Sequence, residues 1–494
     1  MPVSRTASNI FIAISALFSA ICWYFAFSLS GDFGFLLWVA PIPVLYCSLF
    51  LERRWAFLIA FISYLSGRLS WLPYLLSVLP VPLAILFTVL MPLIFALIVI
   101  AARSVILRCS HWSAVFAFPV LFTSFEYISF LFSRDGTAGS IAYTQVNYLP
   151  VIQIASIAGI EGITFLLTFI PSAIVLIYFN YKRQHAVKPL LFTTIGIVGI
   201  TMIFGAWRLR DHVTGKESPV RIGMATIDEK AHHNSYATST EKQLHLADLY
   251  LHEVSVLARQ GAQVILMPEK IFRYNEGEQS GILQRFKDTA LAYHVYIIVC
   301  VDQKKNDYYE NRAWVISDEG RLVADYQKVH LFEGEVLDSV RPGKQIGLFS
   351  RGGAEEGVAI CKDLDFQQYI LKYGKAERRM LYVPAWDFVR DGWMHSRMAI
   401  MRSVEGGYSM ARNARQGRLT INDYRGKVLF EAHSDEGVPV RLVATVVPQY
   451  YKTVYSVLGD WFGMLNVVAA VVWMIVLIRS RGGRSALPGL RPAL

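Results

Sequence analysis

Three residues in the second half of the chain have side chains that together could carry out nucleophilic catalysis. Glu269 follows Leu-Met-Pro, Lys328 lies in Tyr-Gln-Lys-Val-His-Leu, and Cys361 lies in Val-Ala-Ile-Cys-Lys-Asp. A carboxylate can accept the proton of a thiol, and a fixed cation can stabilise the thiolate and the oxyanion that its attack creates. These residue types predict acyl transfer through a cysteine nucleophile.

Each of the three residues also has a structural interpretation that the local sequence leaves open. Cys361 could be a buried structural cysteine, Glu269 a solvated turn residue and Lys328 a surface lysine. A catalytic role is favoured because each residue lies at the end of a predicted strand, and ligand sites in α/β sheets gather at strand ends. Backbone N–H groups at the turn that contains Cys361 can lower a thiol pKa and bind an oxyanion.

The elements that would position these residues alternate between strand and helix patterns. Leu246, Tyr250, Val254 and Leu257 recur at helical spacing and predict one buried helix face. Short apolar runs bounded by turn residues predict the strands. The predicted strands are 220–227, 262–267, 296–301, 312–316, 322–326, 357–361 and 380–384, and the predicted helices are 240–260, 281–294, 366–377 and 394–407. This alternation predicts an α/β layered domain.

Most of the remaining chain is apolar enough to predict membrane helices. Of the 494 residues, 54% are hydrophobic and only 17% are charged, whereas a soluble globular protein has roughly a quarter of its residues charged. A helix needs about 20 apolar residues to cross a bilayer core. The predicted spans are 9–29, 34–51, 55–77, 80–102, 112–133, 155–180, 189–207 and 458–478, with 134–154 as a mixed segment that could dip back.

These patterns predict a multi-span α-helical membrane domain joined to an α/β extracytoplasmic domain. Residues 1–207 would form a seven-helix membrane domain, and residues 219–449 would form the catalytic domain. Residues 458–478 would form a C-terminal transmembrane helix, followed by a basic cytoplasmic tail at 479–494.

The distribution of basic residues predicts the orientation of the chain. Because cytoplasmic connections carry an excess of Lys and Arg, both termini are expected in the cytoplasm. The opposite connections carry Asp32 and the Arg134–Asp135 pair. The domain between spans seven and eight would then lie outside the cytoplasm, which is the periplasm if the membrane is a bacterial inner membrane. The basic residues on the terminal side are Arg5, Arg53, Arg54, Arg103, Arg108, Lys182, Arg183, Lys188, Arg479, Arg481 and Arg484.

The net charge and the cysteines exclude several classes of function. The net charge is +10, but no dense Lys/Arg run is present, so nucleic-acid binding is not favoured. The spacing of the five cysteines contains no CxxC motif and predicts no metal site. Only Cys300 and Cys361 fall in the α/β domain, where a disulfide between them is an alternative to a free nucleophile.

Glu126 and Arg68 are charged residues that fall in the interior of predicted spans. Glu126 lies in the fifth span and Arg68 in the third. Charged groups there are costly and usually face the interior of the helix bundle or water. They predict either a structural ion pair or part of a substrate path.

The motifs around the three candidate residues resemble the nitrilase (carbon–nitrogen hydrolase) superfamily over residues 220–448. Pro-Glu at Glu269, Tyr-x-Lys-x-His-Leu around Lys328 and Ile-Cys-x-Asp around Cys361 carry the resemblance. It implies an αββα sandwich with a Glu–Lys–Cys triad. With membrane helices on both sides of the domain, nearly the whole chain is similar to the apolipoprotein N-acyltransferase family.

Further residues extend the resemblance and imply supporting roles. Glu335 takes the place of a second glutamate, Asp363 that of the acidic residue two after the nucleophile, and Asn311 that of an asparagine before the hairpin. Other matching segments are Pro384-Ala-Trp-Asp, His395, Arg402-Ser-Val-Glu405, Arg412-Asn-Ala, Phe125–Glu126 and residues 150–162.

Four segments depart from the family pattern. Gln-Gly-Asn is replaced by Ala-Thr-Ile-Asp at 225–228, and the tyrosine after the nucleophile is replaced by Lys362. A Val-Pro-Phe-Gly-Glu stretch is shortened to 332–335, and an aromatic loop after span five is replaced by Gly-Thr-Ala-Gly-Ser at 136–140. These changes lie near the expected substrate pocket and leave the triad intact.

The resemblance implies transfer of an acyl chain from a membrane phospholipid, through a Cys361 thioester, to the N-terminal amine of a diacylglyceryl lipoprotein. It implies no metal and no organic cofactor. The alternative is a membrane-tethered nitrilase-type amidase in which water resolves the thioester. A transporter or receptor would leave the triad pattern unexplained and would often show an internal repeat, which spans one to seven lack. A non-catalytic family member is the fourth interpretation.

Overall fold

The chain divides into two compact units in its computed structural model. The structure describes residues 5–109, 111–210, 218–235, 239–275, 277 and 279–479. The first unit comprises Met1–Phe132, Gly139–Trp207 and Asp460–Leu494, and the second comprises Ser133–Ala138 and Arg208–Gly459. Apart from Arg479, the predicted basic tail with Arg481 and Arg484 lies outside the described residues.

The first unit is helical. Helix α3 is the first of two long neighbours and leads into α4 after a short break at Leu79–Pro80, where the backbone is extended. The α-helices are α1 (Arg5–Ala26), α2 (Pro41–Phe50), α3 (Arg53–Val78), α4 (Val81–Arg108), α5 (Ala117–Phe132), α6 (Leu149–Ile152), α7 (Ala155–Lys182), α8 (Lys188–Arg208) and α16 (Trp461–Arg479), with 3₁₀ helices at Gly34–Trp38, Trp112–Phe116 and Ile141–Gln145.

Among the described residues, five helices are long and apolar enough to cross a membrane. They are Arg53–Val78, Val81–Arg108, Trp112–Phe132, Ala155–Lys182 and Lys188–Arg208. The other three predicted spans coincide with shorter apolar segments, Ile10–Ala26, Gly34–Phe50 and Trp461–Ile475. The chain is therefore a membrane protein with at least these candidate spans, and the total of eight crossings stays a prediction.

The second predicted span is interrupted. A 3₁₀ helix ends at Trp38, and α2 begins only at Pro41. Proline is favoured at the first position of a helix because it has no N–H to donate to the preceding turn. Hydropathy alone does not detect this break, since the residues on both sides are apolar.

Glu126 and Arg68, which lie in predicted spans, have different surroundings. The Glu126 carboxylate accepts hydrogen bonds from Ser140 Oγ (3.1 Å), Thr164 Oγ1 (2.6 Å) and the Ile141 backbone N–H (3.1 Å). The Arg68 guanidinium lies 5.0 Å from the ring centre of Trp71. Among the described residues neither has a salt-bridge partner. Glu126 instead joins α5, α7 and the segment between them.

The second unit contains two β-sheets. One has the order β13-β1-β2-β4-β5-β6, with β3 also paired to β4, and the other has the order β12-β11-β10-β9-β8-β7. The strands are β1 (Val220–Thr226), β2 (Val264–Leu266), β3 (Arg273–Asn275), β4 (Tyr296–Lys304), β5 (Tyr309–Ile316), β6 (Leu322–Gln327), β7 (Gly347–Arg351), β8 (Ala354–Val358), β9 (Met380–Trp386), β10 (Ser409–Arg415), β11 (Arg418–Asn422), β12 (Val428–His433) and β13 (Val440–Val446).

Helices cover the outer face of each sheet, which gives the αββα sandwich. Strand β4 explains the layering, because Ile297 and Val299 pack under the helices while Ile298 and Cys300 pack between the sheets. Side chains of a strand alternate between its faces, so a strand buried on both sides is apolar throughout. The helices are α9 (Glu229–Ser235), α10 (Thr240–Arg259), α11 (Gln279–Tyr293), α12 (Glu333–Leu337), α13 (Gln367–Lys375), α14 (Gly392–Gly406) and α15 (Val454–Leu458).

The fold class predicted from the sequence is confirmed, with one correction at the nucleophile. All four residues of the predicted helix face lie in the core under α10. The predicted strand 357–361 is wrong at its end, because β8 stops at Val358 and Cys361 begins a 3₁₀ helix, Cys361–Asp365. The Asp363 carboxylate accepts the Ile360 backbone N–H at 2.9 Å, which ends the extended conformation.

Candidate active site

Four of the predicted site residues meet in one buried hydrogen-bonded cluster. Lys328 follows β6, and its ammonium donates to Glu269 Oε1 and to Glu335 Oε2, both at 2.7 Å. Asn311 in β5 donates from its side-chain amide to Glu269 Oε1 (2.7 Å) and Glu335 Oε1 (2.8 Å). Glu269 follows β2, and Glu335 lies in α12. A lysine ammonium has three donors, so these bonds leave Lys328 one further N–H.

A second lysine balances the charge of the cluster. Lys270 Nζ lies 3.0 Å from Glu335 Oε1, so two buried ammonium groups face two buried carboxylates. Burial alone would lower the pKa of Lys328, but Glu269 and Glu335 raise it well above its ordinary value. The pKa of Glu335 is lowered, because Lys328 and Lys270 outweigh the effect of burial. Buried charges persist only when paired in this way.

Cys361 lies beside this cluster in a strained backbone conformation. Its φ angle is +42°, a region that favours glycine. Its Sγ lies 3.6 Å from the carbonyl oxygen of Trp386, and the Glu269 backbone N–H donates to the adjacent Ala385 carbonyl at 3.2 Å. The end of β9 thus contacts both the thiol of Cys361 and the backbone of Glu269.

The surroundings of Cys361 favour the neutral form of its thiol. Burial raises its pKa well above the ordinary value, and Glu269 adds to the rise, while Lys328 and Arg412 oppose it. A nucleophilic thiol in this environment therefore needs a base that removes its proton during the attack.

Asp363 fixes the turn that carries Cys361. Its Oδ1 accepts the backbone N–H groups of Val329 (3.2 Å) and His330 (2.8 Å), and its Oδ2 accepts those of Ile360 (2.9 Å) and the Tyr326 hydroxyl (2.6 Å). The carboxylate joins the segment after Lys328 to the residue before the cysteine. Asp363 thus fixes the position of Lys328 relative to Cys361.

A second group of charged side chains adjoins the site. Arg412 donates to both carboxylate oxygens of Asp387, at 2.9 and 2.5 Å. His395 Nδ1 lies 3.4 Å from an oxygen of Asp387 and 3.4 Å from an oxygen of Asp391. Burial alone would lower the pKa of His395, but Asp391, Asp387 and Asp365 raise it to about 9.

This histidine predicts a loss of stability in mild alkali. Its pKa is raised on folding, so its stabilisation is complete below the unfolded value of 6.5 and is lost as the pH rises towards about 9. The difference between the folded and unfolded pKa of His395 corresponds to about 3 kcal/mol of folding free energy. We expect the Tm of the protein in detergent to fall between pH 6.5 and 9, and to fall less in His395→Gln. Equal slopes for the two proteins would contradict the assignment.

An open pocket adjoins the strand end that contacts the thiol. Its volume is about 390 Å³, and it is lined by Glu229, Lys230, His233, Trp386 and Gln416. The Trp386 indole N–H donates to Gln416 Oε1 at 2.8 Å. The pocket offers apolar and charged groups next to β9, although none of the three triad candidates lines it.

The structure brings the predicted residues together and adds one that the sequence did not indicate. Glu269, Lys328, Asn311 and Glu335 form the cluster, whereas Asp363 supports the cysteine turn from outside it. Cys300 and Cys361 are free thiols, and the Cys300 Sγ–H donates to Asn311 Oδ1 at 3.2 Å. Lys270 was missed, because a lysine after Pro-Glu has no pattern that separates it from a surface residue.

Known proteins match both parts of the chain. Residues 19–173 match the family model described as the apolipoprotein N-acyltransferase N-terminal domain, and residues 223–439 match the carbon-nitrogen hydrolase model. An apolipoprotein N-acyltransferase of Geobacter metallireducens is 23% identical over 439 residues, covering 80% of this chain and 82% of that protein. A 2-oxoglutaramate amidase of Bacillus subtilis is 28% identical over 167 residues, covering 31% of this chain and 63% of that protein.

Solved structures that match part of the chain include an amidase from Nesterenkonia sp. It has a TM-score of 0.41 and 20% identity, and covers 49% of this chain and 94% of that chain. The two family models follow one another along this chain, the first mainly over the helical unit and the second within the αββα unit. The chain is thus a membrane enzyme with a carbon-nitrogen hydrolase domain, and it is similar along most of its length to apolipoprotein N-acyltransferases.

Proposed function

We propose that this protein transfers a fatty acyl chain from a membrane phospholipid to the N-terminal amine of a diacylglyceryl lipoprotein, through a thioester on Cys361. The observation that carries the proposal is the Lys328 ammonium, held at 2.7 Å by each of two buried carboxylates. The names of the relatives support N-acylation of lipoproteins as the overall reaction.

In the first half-reaction, Glu269 accepts the thiol proton as Cys361 Sγ attacks the ester carbonyl of the phospholipid. The remaining N–H of Lys328 and backbone N–H groups at the cysteine turn stabilise the oxyanion. The ester C–O bond then breaks, and Glu269 returns the proton to the leaving oxygen. The products are a lyso-phospholipid and the acyl-thioester enzyme.

In the second half-reaction, the amine of the lipoprotein attacks the thioester carbonyl. Glu269 accepts a proton from the nitrogen. The C–S bond then breaks, and Glu269 gives that proton to the Cys361 thiolate. Donor and acceptor are both lipids, so they can use one pocket in turn. Because the reaction is divided into two steps, each substrate in turn can place its reacting group next to Cys361.

The membrane location follows the distribution of charge. We place the protein in the bacterial inner membrane with both termini in the cytoplasm and the αββα unit in the periplasm, since basic residues concentrate on the terminal side of the helices. Diacylglyceryl lipoproteins and phospholipids would then both reach the site from the outer leaflet.

An amidase is the second candidate, in which water rather than an amine attacks the thioester. Two observations favour it: the similarity to a 2-oxoglutaramate amidase over 167 residues, and the presence of Lys362 where the family pattern has tyrosine. The same triad serves both reactions, so only the acceptor separates them.

Product analysis distinguishes the two candidates. Purified protein in detergent is incubated with phosphatidylethanolamine and a synthetic peptide that begins with a diacylglyceryl cysteine. We expect one lyso-phospholipid for each N-acylated peptide, measured by mass spectrometry, because the amine outcompetes water at the thioester. The matched control is the same peptide with its N-terminus acetylated, which should give no product. Free fatty acid in place of N-acyl peptide would favour hydrolysis and overturn the proposal.

A further inference from the structure

A short segment, Ser133–Ala138, packs against the 3₁₀ helix that begins with Cys361. We call this segment the strap. It follows α5 in the sequence and belongs to the second unit. The backbone N–H and the hydroxyl of Thr137 both donate to the Asp365 carbonyl oxygen, at 2.9 and 2.8 Å. The strap therefore anchors the C-terminal end of the 3₁₀ helix, which is the end opposite Cys361.

Close approach of the two backbones explains the glycine in the strap. Gly136 has φ = +52°, and a Cβ atom at this position would stand 2.3 Å from the Asp365 carbonyl oxygen. A side chain would thus force the strap off the helix end. The contact is part of the fold and not a loose surface approach.

An ion pair joins the strap to the residue after the nucleophile. Lys362 Nζ lies 2.6 Å from Asp135 Oδ1 and 3.6 Å from Asp365 Oδ2. The Lys362 side chain is 9% exposed and the Asp135 side chain 56% exposed. Burial alone would lower the pKa of Lys362, but Asp365 and Asp135 raise it, so the lysine stays charged.

This ion pair involves one departure from the family pattern and lies next to another in the sequence. Lys362 stands in place of a tyrosine, and the strap runs into the segment 136–140 that replaces an aromatic loop. The two changes lie more than 200 residues apart in sequence, yet Lys362 bonds to Asp135, which directly precedes the replaced segment.

We infer that the Asp135–Lys362 ion pair is a positioning device for the nucleophile, an inference that rests on the proposed role of Cys361. The cysteine turn is held on one side by Asp363 and on the other by the strap. Cys361 keeps a left-handed backbone conformation between these two anchors. Loss of the ion pair would let Lys362 move and would turn the thiol away from Glu269.

A double-mutant cycle tests this role. The variants are Asp135→Asn, Lys362→Met and the two combined, with Arg134→Ala as the matched control. Arg134 lies in the same strap, and within the described part of the chain its ion pair with Glu333 is 3.5 Å long and joins exposed side chains. The measurement is the rate at which iodoacetamide alkylates Cys361 at pH 7, read by peptide mass, with Tm recorded for every variant.

We expect each single variant to slow alkylation about tenfold, since small displacements of a reacting group have effects of this order. The combined variant should be no slower than the single variants, because both remove one interaction. Arg134→Ala should react within about twofold of the wild type. Asp135→Asn removes an exposed charge and should keep its Tm, so the test survives even if Lys362→Met unfolds.

Two results would overturn the inference. One is alkylation of Asp135→Asn at the rate of the control or faster. The other is a combined effect equal to the product of the single effects. Alkylation needs neither phospholipid nor lipoprotein, so failure of the proposed acyl transfer would leave this result independent.

Discussion

Replacing Cys361 with alanine is expected to abolish the acyl-enzyme entirely. The other thiol of the αββα unit, Cys300, is fully buried and donates to Asn311, so no second nucleophile can replace the missing one. Incubation of the wild-type protein with phosphatidylethanolamine should add the mass of one acyl chain, which hydroxylamine removes. The variant should show no added mass at any time.

The matched control for this experiment is Cys300→Ala, which removes a buried thiol but leaves the nucleophile. It should still gain one acyl chain. Added mass on Cys361→Ala that hydroxylamine removes would place the thioester elsewhere and contradict the assignment. Folding of each variant is checked by Tm, because the site is buried and a misfolded variant would also lack the adduct.

The sequence predicted an α/β layered domain because its strands and helices depend on local patterns, whereas the αββα arrangement was implied by the resemblance to the nitrilase superfamily. Strand β4 is apolar throughout, which indicates burial on both faces, and the helical spacing in α10 identified its buried face. Breaks within apolar stretches were harder to detect. The interruption before Pro41 depends on the missing N–H of proline, and the end of β8 at Val358 depends on the hydrogen bond from Ile360 to Asp363. Hydropathy reports neither feature.

The triad was predicted from motifs at strand ends, whereas its charge balance was not. Lys270 is the second cation of the cluster, and its role depends on the side chain of Glu335, 65 positions away in the chain. The Asp135–Lys362 pair is separated by 227 positions. Contacts of this kind arise only from the tertiary fold, and the residues involved have no distinctive local pattern.

The cluster also explains why a raised thiol pKa is compatible with catalysis. Two lysines and two carboxylates balance one another, so the site holds no surplus positive charge that would ionise Cys361 at rest. A neutral thiol is less easily oxidised than a thiolate. The enzyme would then create the nucleophile only when Glu269 removes the proton in the presence of an acyl donor.

Replacing Glu269 with glutamine is expected to slow thioester formation about 10³-fold, the middle of the range for loss of a general base. The substitution preserves shape, and its amide oxygen can still accept from Lys328 and Asn311. The cluster should therefore keep its geometry, while the group that accepts the thiol proton is lost. Rapid-quench sampling and intact-mass analysis measure the rate, and Tm reports the cost of the unbalanced lysine.

The pH dependence separates loss of the base from loss of structure. Without Glu269, attack should require a thiolate formed by solvent, so the rate of the variant should rise tenfold for each pH unit below the thiol pKa. The wild-type rate should change little over the same range. Glu333→Gln is the matched control, since Glu333 is an exposed carboxylate two positions from Glu335, and it should react at the wild-type rate. A Glu269→Gln variant with a flat pH profile would show that another group removes the proton.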